Sequence, residues 1–86
     1  MLATMGHNGY ANVHTYHAAV AIDNTRDFYF GARARHVARA LAGDVAGAAE
    51  GLRSDAVSSG VLPAHVDVAA VDWAQLVESA ADESRA

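Results

Sequence analysis

Eighty-six residues give room for one domain with one modest core. There is no cysteine, which excludes disulfides, thiolate metal sites and thiol chemistry. The net charge of −4 and the absence of any lysine run against the basic excess that phosphate binding normally requires. Alanine dominates the apolar residues. It favours helix but buries little area per side chain, so the 52% apolar content overstates the core. The side chains able to fill that core are Tyr10, Tyr16, Val20, Ile22, Phe28, Phe30, Val37, Leu41, Leu52, Val57, Leu62, Val66, Val71, Trp73, Leu76 and Val77. No apolar run approaches the ~20 residues of a membrane span, and residues 1–5 lack the pattern of a signal peptide. The expected setting is the cytoplasm of a bacterial or archaeal cell.

Residues 1–11 read as a flexible lead-in containing Gly6, His7, Asn8 and Gly9. A first helix is expected over 12–22, with Asn12 as N-cap and Asp23-Asn24 ending it. Thr25 caps a second helix, in which Phe30, Ala34, Val37 and Leu41 recur at helical spacing as one apolar stripe. That stripe is expected to pack against Tyr16 and Val20 of the first helix and against Trp73, Leu76 and Val77 of the last. Leu41→Asp should then unfold the domain. Gly43 stops the helix.

Asp44 caps a third helix, which runs to about Ser58 and is weakened by Gly47 and Gly51. Residues 61–70, with Pro63, read as a short helix or a loop. Asp72 opens the last helix, with Gln75 placed for a capping box and Val71 for a staple onto Leu76. The helix should run to about Ala81, with 82–86 frayed. The fold class is all-α: a single-domain bundle of three main helices plus a short fourth element.

Charge divides the chain. Residues 1–43 carry four arginines against two aspartates, whereas residues 44–86 carry eight acids against two arginines. Two candidate surfaces follow. Glu50, Asp55, Asp67, Glu78, Asp82 and Glu83 form an acidic set suited to a basic groove on a partner protein. Arg33, Arg35, His36 and Arg39 on the second helix form the alternative, a nucleic-acid contact. The bland reading of both is a solvated face, or pairing of the one set with the other. A third reading is self-association through small-residue faces around Ala32, Ala46 and Ala69-Ala70.

Chemistry finds little purchase. Ser54, Ser58, Ser59 and Ser79 occupy no nucleophile elbow, and Gly6-His7-Asn8-Gly9 is too short for a phosphate loop. His14 and His17, three apart on the first helix, would need His7 or Asp23 to hold zinc or nickel, and no third ligand has convincing spacing. No catalytic residue, metal or cofactor is assigned, and the chain is read as a non-enzyme.

The segment 12–24 resembles a motif of small uncharacterised proteins from phages, plasmids and integrated elements. Asn12, Thr15, Ile22, Asp23 and Asn24 carry the likeness, with Tyr16 where those proteins have tryptophan. Val71-Asp72-Trp73 is similar to their last helix start. The resemblance implies a mobile-element setting. By analogy it also implies a protein that binds and inhibits a host protein complex, such as a CRISPR or restriction defence.

Overall fold

The structure is a computed structural model and describes residues 9–85. It is an all-α bundle with no strand among the described residues. Helix α1 spans Val13–Asp23. Helix α2 covers residues 26–41 as three joined stretches: Arg26–Phe28, a π-helical turn Tyr29–Arg33, and Ala34–Leu41. Helix α3 is Val45–Ser59, a 3₁₀ turn covers Val68–Ala70, and α4 is Trp73–Arg85. The last stretch of α2, α3 and α4 pack on one another, and α1 touches α4, the first two stretches of α2 and the 3₁₀ turn. The expected bundle is present, with α4 four residues longer than the sequence suggests. Residues 82–85 continue the helix instead of fraying, and the Arg85–Asp82 pair at 2.8 Å spans its last turn.

The caps sit where the sequence puts them. Asn12 Oδ1 accepts from Thr15 N–H at 2.8 Å, Asp44 Oδ1 from Gly47 N–H at 2.9 Å, and Asp72 Oδ1 from Gln75 N–H at 3.0 Å. Gly43 and Gly60 close α2 and α3 with φ of 106° and 72°, a region open to glycine and costly for other residues. Thr25 is the exception: its hydroxyl donates to Ala21 C=O at 2.8 Å and caps nothing. The 61–70 stretch is a loop carrying the 3₁₀ turn.

The expected apolar stripe of α2 is not the buried face. Val37 is buried, but Ala34 is exposed, Leu41 is 41% exposed, and Phe30 is 70% exposed. Phe28, Val37 and Ala40 face inward instead. The cause is the π turn, which inserts one residue into the helical repeat. Phe28 and Ala40 are twelve apart in sequence, which a regular helix at ~100° per residue would place about 120° apart. One residue taken up by the π turn leaves an effective spacing of eleven, and the two side chains then point almost the same way. Phe30 falls on the other side of that insertion and is carried outward. Leu41, in the final turn beside Gly43, no longer carries the weight that Leu41→Asp was expected to test.

The core is smaller-grained than expected. Val20 and Val57 are exposed, and Tyr10, Tyr16 and Leu62 are half-buried. Their places are taken by Ala18, Ala40, Ala48, Ala56, Ala80 and Ala81 around Ile22, Leu52, Trp73, Leu76 and Val77. Small side chains let the helices approach closely. Gly47 and Gly51 extend this: a Cβ on Gly51 would meet the His36 ring, with Nδ1 only 2.7 Å away, and one on Gly47 would meet Arg39 Nη2 at 2.6 Å. The two glycines therefore weaken α3 as an isolated helix but open the groove in which α2 lies.

Candidate functional site

The two halves of the charge pattern largely meet each other. Asp55 Oδ2 lies 2.7 Å from His36 Nε2 and 3.4 Å from Arg35 Nη2, joining α3 to α2. Arg39 Nε lies 2.6 Å from Asp44 Oδ2. Asp44 is held below the usual carboxylate range by the Gly47 N–H and then by the Arg39 guanidinium. Arg33 sits among Asp23 at 3.9 Å, Glu83 at 3.8 Å and the face of Tyr29, whose centroid is 4.2 Å from its guanidinium carbon. Desolvation pushes the Asp23 carboxyl up, outweighing Arg33, and Glu83 adds to it; the ion pairs are too long to reverse the effect. Tyr10 is raised as well, by desolvation and then by the same two carboxylates.

Of the acidic set, Asp55 is thus committed to α2 and Glu83 to Arg33. Glu50 pairs with Arg53 at 3.6 Å, and Asp82 with Arg85. Asp67 accepts from Ala69 N–H at 3.1 Å and caps the 3₁₀ turn. Glu78 and Asp82, one turn apart, line a shallow recess with Ala40, Val45, Ala81 and Arg85. The six acids therefore occupy several places, and Glu50, Asp67, Glu78, Asp82 and Glu83 are exposed. All four members of the alternative basic set, Arg33, Arg35, His36 and Arg39, rest against carboxylates of this chain. Of the small-residue faces, Ala32 packs against the core and Ala46 and Ala69 are exposed.

A cleft among Tyr10, Asp23, Arg33, Ser79 and Glu83 has an interior volume of about 40 Å³, room for a water or two. Trp73 is buried and donates its indole N–H to Val68 C=O at 3.2 Å, as a core anchor does. Tyr16 is half-buried and lies between the rings of Tyr10 and His17. The two segments that carry the mobile-element resemblance meet in space. Asn12 Nδ2 donates to Ala70 C=O at 2.7 Å, and the Thr15 hydroxyl accepts from Asp72 N–H at 2.9 Å while donating to Asn12 Oδ1. Their role in this fold is to join α1 to the start of α4.

No three side chains among histidine, aspartate and glutamate gather around one point among the described residues. His14 and His17 do not act as a pair. His14 Nδ1 accepts from Asp67 N–H at 3.0 Å, whereas His17 Nδ1 lies 3.0 Å from His65 Nε2. His7 lies outside the described residues. The sequence pairing overlooked His65 because the partner comes from a loop forty-eight residues away.

Phe30 is a further residue that sequence reasoning misplaced. It stands out from the π turn, edge-on to Tyr29 with centroids 5.1 Å apart. A signal was present: Phe28-Tyr29-Phe30 are consecutive, and three successive helical positions cannot all face one core. Comparison with known protein families, characterised proteins and solved structures finds no match.

Proposed function

We propose that this chain acts by binding another protein, with Phe30 as the anchor and exposed acidic side chains around the contact. In this reading it is a non-catalytic inhibitor of a host complex, of the defence-system kind that the mobile-element resemblance implies. The observation that carries the binding reading is the 70% exposure of Phe30 on a π-helical turn. An exposed aromatic offers apolar area that a partner surface can cover. Aromatic residues are also enriched among the few that dominate interface energies, and π-helical turns occur frequently at functional sites. The net charge of −4 supports a basic partner surface. The engagement of Arg33, Arg35, His36 and Arg39 with internal carboxylates weighs against the nucleic-acid alternative, since phosphate would have to displace those pairs.

The test is a pull-down from host lysate with the wild type and with Phe30→Ala, with and without nuclease, at two salt concentrations. A host protein captured after nuclease treatment, lost with Phe30→Ala and weakened by salt, is the expected result. Glu50→Lys combined with Glu78→Lys should weaken the same capture without altering the melt. Asp55 is unsuitable for charge reversal because it holds His36. Recovery of nucleic acid alone would transfer the function to the arginine-bearing helix.

A further inference from the structure

His17 and His65 form an arrangement that the proposed binding role does not use. His17 projects from α1 and His65 from the loop before the 3₁₀ turn, and their rings meet nearly perpendicular with centroids 4.9 Å apart. His17 Nδ1 and His65 Nε2 are 3.0 Å apart. Two imidazole nitrogens each about 2.0–2.1 Å from one ion are separated by roughly 2.9 Å at a right angle and roughly 3.4 Å at a tetrahedral angle. The observed separation falls between those values. The two nitrogens therefore already stand as close together as neighbouring ligands of one metal ion.

We propose that His17 Nδ1 and His65 Nε2 bind one divalent transition-metal ion, with water completing its coordination. Imidazole pairs suit Zn²⁺, Ni²⁺ and Cu²⁺ and not Mg²⁺ or Ca²⁺, which take oxygen ligands. Without metal, one ring N–H donates to the other ring. Binding needs both facing nitrogens bare, so that proton moves to the far nitrogen of its own ring. The loop is already fixed for this, because the Asp67 N–H, two residues beyond His65, donates to His14 Nδ1 on α1. Among the described residues, an open, mostly apolar recess lined by Val20, Ala21, Asn24 and Pro63 adjoins the pair. Two protein ligands make an open site, unlike the closed four-ligand sites that hold a structural zinc.

The probe is ZnCl₂ added to the untagged chain, read by calorimetry and by the histidine ring resonances, with Tm followed in parallel. The expected result is one ion per chain and a raised Tm, because an ion held between α1 and the loop binds the folded state alone. His65→Gln and His17→Gln should each lower the affinity by about tenfold or more, whereas His14→Gln, which alters only the acceptor that steadies the loop, should lower it by less. His65 is exposed, so its variant is expected to keep the wild-type fold, to be checked by its metal-free melt. Absence of Zn²⁺ binding, or binding undiminished in His65→Gln, would overturn the site. Loss in His14→Gln and His17→Gln but not in His65→Gln would also overturn it, moving the ion to the i, i+3 pair on α1.

Discussion

The junction between α1 and α4 and the π-helical turn of α2 show two ways in which a sequence meets its fold. At the junction, the side chains of Asn12, Thr15, Asp72 and Gln75 all have hydrogen-bond partners. Thr15 is fully buried, and its hydroxyl both donates to Asn12 and accepts from the Asp72 N–H. In a capping box Gln75 would reach back to that N–H. Here Thr15 takes it, which frees the Gln75 amide to bind Ala11 N–H at 2.8 Å and Gly9 C=O at 3.1 Å. The π turn, in contrast, holds no buried side chain and leaves a phenylalanine in water. The first region is specified by hydrogen bonds, so changes there should cost stability. The second is a phase adjustment, so changes there should cost function.

A single-residue deletion separates the two behaviours most sharply. Deleting Ala49 from α3 would rotate Leu52 and Ala56 by ~100° relative to Ala48 and abolish the cooperative melt, removing essentially all of the ~5–15 kcal/mol that a small domain has. Deleting Gly31 should convert the π turn to regular helix with Phe28, Val37 and Ala40 still on one face, and leave the chain folded. Circular dichroism melts of the two deletions decide it. If both unfold, the π turn is part of the packing and the contrast fails.

Thr15→Val, nearly isosteric, should cost about 1–3 kcal/mol by leaving the Asp72 N–H unpaired, measured by urea denaturation. A smaller pair of effects should have opposite signs. Gly51→Ala pushes a Cβ into the His36 ring and should destabilise. Gly31→Ala meets nothing within 4 Å and should stabilise by about 0.5–1 kcal/mol. Leu41→Asp, on the exposed end of α2, should leave a normal melt.

The legible parts of the fold were those with local causes. Asn12, Asp44 and Asp72 announce helix starts because a short polar side chain can reach a backbone N–H three residues on, and Gly43 marks an end because glycine readily takes the positive φ found there. The buried face of α2 was only partly legible: Phe28-Tyr29-Phe30 showed that one aromatic must leave the core, but a π turn changes the phase without a distinctive residue, and a regular period then assigns Phe30 and Leu41 to the core. The charge asymmetry was visible, but its meaning was not. Asp55 beside His36 is nineteen residues distant in sequence and depends on Gly51 allowing the ring to settle against α3. His65 beside His17 depends equally on the path of a loop with no periodicity of its own.

The finest contrast lies between two aspartates at helix ends. Asp44 is exposed but accepts from the Gly47 N–H and pairs with Arg39, so its carboxyl is lowered. Its contribution to folding is present above the ordinary aspartate value and is lost as pH falls through its own depressed value. Asp23 is raised, chiefly by desolvation and then by Glu83, so the folded chain favours its protonated form. That contribution is fully present below the ordinary value and disappears as pH rises through the raised one. Acid should therefore loosen the start of α3 while relieving the Arg33 cluster. Carboxyl titrations by NMR should find Asp23 protonating before Asp44 as pH falls. Asp44→Asn keeps an N-cap acceptor but has no proton to gain, so it should flatten the acid limb of stability without moving the Asp23 midpoint. If the acid limb keeps its slope in Asp44→Asn, the cap at the start of α3 is not what acid removes, and the electrostatic distinction between these helix ends fails.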